Sequence, residues 1–208
     1  MLIELSIEDF SKVLGSDSPA PGGGSVAALS GALGADLVCM VCRLSVSKPG
    51  LEQFSEDISQ TLEMAEQLSK SLLGRVDRDT KAFNDVMAAF KLPKNTDDEK
   101  KKRTEAIQRS YREAVISPLG VARDCTEVLT LAAGLLGKSN SNALSDLGVA
   151  SQQAYAGLEG AVMNIKINLP SIKDEAFRSK SAAEMSSLLK RARDLRVGVE
   201  EFVSQTLQ

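Results

Sequence analysis

Apolar residues fall at Leu51, Phe54, Ile58, Leu62, Ala65, Leu68, Leu72 and Val76, steps of three and four that line one face of an α-helix. The rhythm predicts a helix continuing past Gly74, with a bend there, to Phe90. Punctuation divides the rest of the chain into comparable pieces. A first segment runs from about Ser6, where Ser6-x-x-Asp9 is a weak capping box, to Gly15. A second spans Val26 to about Ser47 and stops at Lys48-Pro49-Gly50. Pro93 ends the third, and Thr96-x-x-Glu99 opens the fourth as a capping box; Pro118 predicts a kink near Ser117 before closure at Leu136-Gly137. Ser145 is expected to cap a fifth segment ending at Asn168, ahead of Pro170, and a sixth covers about Lys173 to Thr206. No segment reads as a strand, and no repeat or linker appears. Six helices with short links predict an all-α, up-and-down bundle forming one domain over residues 1–208.

The second segment breaks the amphipathic pattern. It is built from Val26-Ala27-Ala28-Leu29-Ser30-Gly31-Ala32-Leu33-Gly34-Ala35, small residues that let another backbone come close. Val26 to Leu44 is the only membrane-like run, but Asp36 interrupts it, so a central helix covered by protein on all sides is expected. The approach to it is Pro21-Gly22-Gly23-Gly24-Ser25. Three residues without Cβ can take positive φ and turn their N–H groups toward one point, while Ser25 suits an N-cap. The helix start is then a candidate anion or dipole site. The alternative is a flexible entry with no ligand.

Composition narrows the chemistry. Aromatic residues are only 4% of the chain and Trp is absent, so the core must be aliphatic and Ala-rich. Histidine is absent too, which removes Ser-His-Asp and Cys-His machinery and leaves proton transfer to Asp, Glu, Lys, Tyr, Cys or water. Cys39-x-x-Cys42 lies inside the second helix, and nothing completes a zinc set with it, so buried small residues and no metal site are expected. A net charge of −3 provides no broad basic surface for nucleic acid. Met1-Leu2-Ile3-Glu4-Leu5 lacks the pattern of a signal peptide, and a cytoplasmic location is expected.

Several polar residues stand out. Gly157, Gly160, Asn164 and Asn168 share one face of the fifth helix, half bare backbone and half carboxamide. Either another helix packs tightly there or a flat polar ligand lies against it. Asp77 and Lys81 can form a routine surface pair. Asp79 faces elsewhere, beside Ala82 and Phe83, and burial there would raise its pKa toward a range useful for acid or base work. Asp146 and Asp174 suit helix N-termini, and Arg103 follows a run of lysines on a solvated face.

Ala20-Pro21-Gly22-Gly23-Gly24-Ser25 and its small-residue helix resemble the signature of the cyclodeaminase/cyclohydrolase family of folate enzymes. Further matches follow in order: Asp77-x-Asp79-x-x-Ala82-Phe83, Leu92-Pro93-Lys94-Asn95-Thr96-x-x-Glu99-Lys100-x-x-Arg103, Pro118-Leu119, Ser145-Asp146-Leu147, Asn164-x-x-Ile167-Asn168-Leu169 and Asp174-Glu175-Ala176-Phe177. They span nearly the whole chain. The resemblance implies a homodimer acting on a tetrahydrofolate derivative, by cyclodeaminase or cyclohydrolase chemistry, with no metal or redox cofactor. It implies Asp77 and Asp79 as acid or base. It also implies a substrate contact set of Pro21, Gly22, Gly23, Gly24, Ser25, Arg103, Ser145, Asp146, Asn164 and Asn168. A non-catalytic helical binding module is the rival reading; the retained Asp77, Asp79, Asn164 and Asn168 argue against it.

Overall fold

Caps set the ends of the helices, and burial of their apolar faces sets their order in space. The computed structural model describes residues 1–207, with helices α1 (Ile7–Leu14), α2 (Gly23–Arg43), α3 (Ser55–Phe90), α4 (Asp97–Gly134), α5 (Leu144–Asn168) and α6 (Glu175–Thr206). Among the described residues there is no strand. Ser6 Oγ accepts from the Asp9 amide at 3.0 Å and starts α1. Thr96 and Glu99 close a reciprocal box at α4, each side chain accepting from the other's amide at 3.2 and 3.1 Å. Asp174 Oδ1 accepts from the Phe177 amide at 3.0 Å and starts α6.

Two expected caps are corrected. Ser145 lies inside α5, which begins at Leu144 after a 3₁₀ turn at Ser141–Ala143; Asn140 holds that turn by accepting from the Asn142 amide at 3.1 Å. Ser25 lies inside the first turn of α2, because the helix begins as soon as the chain leaves Gly22. None of Gly22, Gly23 and Gly24 has positive φ. Among the described residues only Gly50 (φ 90°) and Gly137 (φ 69°) do, in the turns after α2 and α4.

Helices α2, α3, α4 and α5 pack as successive antiparallel neighbours, and α5 returns against α2 to close a ring; α6 lies outside on α4 and α5. The interior is aliphatic, with Ile58, Leu72, Leu129, Leu147, Leu158 and Ile165 fully buried. Along the α2–α5 seam the backbones touch. A Cβ built on Gly34 would lie 2.9 Å from the Ala150 carbonyl oxygen, and one on Gly157 would lie 2.6 Å from that of Ala27. By length and composition α2 could cross a membrane, yet 61% of its most apolar window is buried within this chain. Burial pushes the thiols of Cys39 and Cys42 up to about 11 and about 12, as inert core residues should behave.

The expected interruptions in α3 and α4 do not break either helix. α3 continues through Gly74, and α4 continues through Pro118. Proline has no N–H, so the Ala114 carbonyl one turn earlier loses its helical donor. Asn168 Nδ2 supplies a replacement at 3.3 Å from α5. A buried proline is thereby tolerated, and an α5 side chain is locked onto α4.

Candidate active site

The first turn of α2, the second half of α3, the middle of α4 and the last turns of α5 enclose a cleft of about 400 Å³. That volume suits a small organic ligand. Its floor is the backbone of Gly22, Gly23 and Gly24, reached through a cis Ala20–Pro21 peptide. Pro21 is itself buried beneath that floor and does not line it.

Asp79 is the one charged side chain that lines the cleft. Its carboxylate lies against the bare Cα of Gly24, where a Cβ would be 2.0 Å from Oδ1. Ser25 is fully buried beside it; its Oγ donates to the Val76 carbonyl at 2.8 Å and lies 3.3 Å from Asp79 Oδ2. Burial raises the Asp79 carboxyl above its ordinary value, and hydrogen bonds from the Ser25 hydroxyl and amide offset part of that rise. A carboxyl poised in this direction exchanges protons more readily near neutrality than an exposed one.

Across from the glycines, Phe83, Met87 and Phe90 descend α3 at helical spacing and meet Tyr111 of α4. Phe90 and Tyr111 stand edge to face with centroids 6.1 Å apart. Phe90 remains 43% exposed, so this apolar wall is unfilled by protein. Asn164 and Asn168 form the wall on α5.

The residues singled out from the sequence therefore divide. Gly22, Gly23, Gly24, Asp79, Asn164 and Asn168 meet in the cleft, and Ser25 lies directly behind Asp79. Asp77 stands apart: two positions from Asp79 is about 200° around a helix. Its Oδ1 accepts from the Leu2 amide at 2.7 Å, and its Oδ2 is buried without a partner. The expected Asp77–Lys81 pair is absent, since Lys81 pairs with Asp85 at 2.6 Å. Arg103 reaches the cleft only through Phe90, donating to its carbonyl at 3.2 Å and lying 5.6 Å over its ring. Ser145 and Asp146 lie in the first turn of α5, with Asp146 about 27 Å along the helix axis from Asn164.

Met87, Phe90 and Tyr111 were not singled out from the sequence. Their signal was the concentration of scarce aromatics: the chain has six Phe and two Tyr, and Phe83, Phe90 and Tyr111 share this one cleft. Among the described residues, no cluster of three or more His, Cys, Asp or Glu is arranged to hold a metal ion.

Residues 6–187 match the family profile described as formiminotransferase-cyclodeaminase. A methenyltetrahydrofolate cyclohydrolase of Methylorubrum extorquens is 42% identical over 198 residues, which are 95% of each chain. The formimidoyltransferase-cyclodeaminase of Rattus norvegicus is 36% identical over 192 residues, covering 92% of this chain but only 36% of that protein. The crystal structure of a formiminotetrahydrofolate cyclodeaminase from Thermotoga maritima superposes with a TM-score of 0.90 over 100% of both chains, at 25% identity.

Proposed function

The chain belongs to the formiminotransferase-cyclodeaminase family, and on that premise we propose that the cleft performs proton transfer at the one-carbon bridge of a tetrahydrofolate, with Asp79 as the shuttle. Membership makes the protein a folate one-carbon enzyme of the cyclohydrolase or cyclodeaminase type. Between the two, methenyltetrahydrofolate hydrolysis is the favoured reaction, because the relative of that name matches along 95% of its length at 42% identity.

The observation that carries the mechanism is a single half-buried carboxyl, seated on Gly24 and facing an apolar wall. In the hydrolytic reaction water attacks the cationic methenyl carbon and Asp79 takes a proton from it, leaving a neutral carbinol. As the carbinol collapses, the carbon–N5 bond breaks, N5 takes the proton from Asp79, and the hydroxyl proton leaves to solvent as the formyl group forms on N10. In the cyclodeaminase direction N10 attacks the carbon of the protonated formimino group and yields its proton to Asp79. The same proton then passes to the departing nitrogen, which leaves as ammonia. The carboxylate also favours the methenyl cation electrostatically. Neither sequence calls for a metal or redox cofactor, so the folate itself is the only bound group the proposal requires.

Gly22, Gly23 and Gly24 let the ligand approach the backbone, and the aromatic wall suits its aryl ring. Ser25 and Arg103 then act from behind, through Asp79 and Phe90. The proposal leaves Asp77, Ser145 and Asp146 outside the chemistry of this cleft. A homodimer accords with the apolar residues left uncovered on α2 and α5, where Leu33, Met163 and Ile167 are 48%, 66% and 75% exposed. The proposed partners are a tetrahydrofolate and a second copy of the chain, in the cytoplasm, with neither nucleic acid nor membrane. An absorbance assay tests the reaction: methenyltetrahydrofolate in one cuvette should lose its chromophore faster with enzyme, and formiminotetrahydrofolate in another should gain it if cyclodeamination is the activity. No acceleration in either cuvette overturns the proposal.

A further inference from the structure

The two asparagines of the cleft are oriented by their backbone partners. Asn164 Nδ2 donates to the Gly160 carbonyl at 2.9 Å; Asn168 Nδ2 donates to the Asn164 carbonyl at 2.9 Å and to the Ala114 carbonyl at 3.3 Å. Carbonyl oxygens attract the amide nitrogen and repel the amide oxygen, so these partners determine which end of each carboxamide is which. Both Oδ1 atoms are thereby turned from the backbone. Among the described residues no donor reaches either one, and neither is sealed from solvent. Since both residues line the cleft, α5 presents it with two acceptors one helical turn apart, both N–H bonds of Asn168 and one of Asn164 being taken by backbone carbonyls.

Resting on the reading of the cleft as a folate site, we infer that Asn164 and Asn168 form the subsite for the donor edge of the reduced pterin, its 2-amino group and N3–H. That edge carries several N–H bonds in one plane and finds an acceptor pair on α5. The opposite orientation would set the pterin carbonyl against two amide oxygens, which is repulsive. With the pterin on α5, the aryl ring falls to the Phe83–Met87–Phe90–Tyr111 wall. The bridge between the two rings then comes to Asp79.

The test compares 5-formyltetrahydrofolate with its 2-desamino-2-methyl analogue by calorimetry on the full chain. The unmodified protein should bind the analogue at least about tenfold more weakly, because an acceptor desolvated without a donor keeps its desolvation penalty. Asn164→Ala should weaken the parent ligand and reduce the difference between the two ligands to about threefold or less. This variant spares the Ala114 carbonyl that Asn168 satisfies, so its fold is retained; Asn168→Ala, checked by thermal melting, is the companion. Equal affinity for both ligands in the unmodified protein overturns the subsite while leaving the folate reading intact. So does undiminished discrimination in both alanine variants. Binding of neither ligand overturns the folate reading itself.

Discussion

Glycine serves two different purposes along α2. Midway, Gly34 faces the Ala150 carbonyl and the Ala154 amide of α5, and Gly157 answers from α5 against the Ala27 carbonyl, so the missing side chains bring two backbones together. In the first turn, Gly24 leaves room for the Asp79 carboxylate. The seam satisfies every neighbour it has and does nothing but hold. The cleft floor takes a group that burial disfavours in its charged form and keeps it in reach of a ligand. Small residues alone do not announce a site; what they admit decides whether the contact is packing or chemistry.

The strongest way to break the contrast is Gly157→Leu. Its first carbon already meets backbone at 2.6 Å, and backbone cannot step aside as a side-chain tip can. Overpacking of about 3 kcal/mol is expected. In a chain of this size that lowers the melting temperature by roughly 6–12 °C. An unchanged melting curve would show that the seam yields and remove the distinction.

Asp79→Asn should behave oppositely. Turnover falls about a hundredfold, the scale for losing an acid or base, while the fold is kept. The folded pKa of Asp79 lies above the unfolded value, so its favourable contribution to stability exists below the unfolded pKa and is lost as pH rises through the folded one. Replacing it by a neutral amide should therefore leave the melting temperature at neutral pH unchanged or higher. The same shift sets the pH profile: kcat/KM should rise through one ionisation on the alkaline side of the ordinary carboxyl range. A second ionisation of similar weight would require another acid or base in the cleft.

Gly24→Ala and Gly23→Ala sharpen the comparison one residue apart. A methyl group on Gly24 displaces the carboxylate and should lower turnover about tenfold, a partial loss of its acid–base contribution. At Gly23 a Cβ meets nothing within 4 Å, and stability should stay within about 0.5 kcal/mol. Its affinity for 5-formyltetrahydrofolate then reports whether the ligand touches that backbone. Asp77→Ala should be milder still for the chemistry: turnover is retained, and losing the Leu2 amide contact costs about 1 kcal/mol. A hundredfold fall in turnover would return Asp77 to the mechanism.

Helix number, the capping box at Thr96, the aliphatic core and the convergence candidates Asp79, Asn164 and Asn168 were legible from periodicity, composition and motif. These features depend on residues close in sequence, whose spacing along a helix is invariant. Ser25 and Ser145 were misread as caps because a cap is decided by where the preceding chain enters. Gly22 and the Asn140 turn determine that entry. Adjacent carboxylates in one motif could not be told apart either. Their separation around α3 sends Asp77 to the N-terminal segment and Asp79 to the cleft, and only the positions of the neighbouring elements give the two directions different meanings.

What the sequence determined by itself was a helical chain with a small-residue second helix, too few aromatics for any but an aliphatic interior, and no histidine for its chemistry. Tertiary structure decided that α2 closes on α5 within the chain, that Pro118 and Asn168 complete each other across two helices, and that Phe90 and Tyr111 share a wall. The reason is physical: local pattern dictates which face of a helix is apolar or polar, but a pocket is the space left when several such faces meet. Its shape, and the burial that raises one carboxyl above its usual value, belong to no single segment.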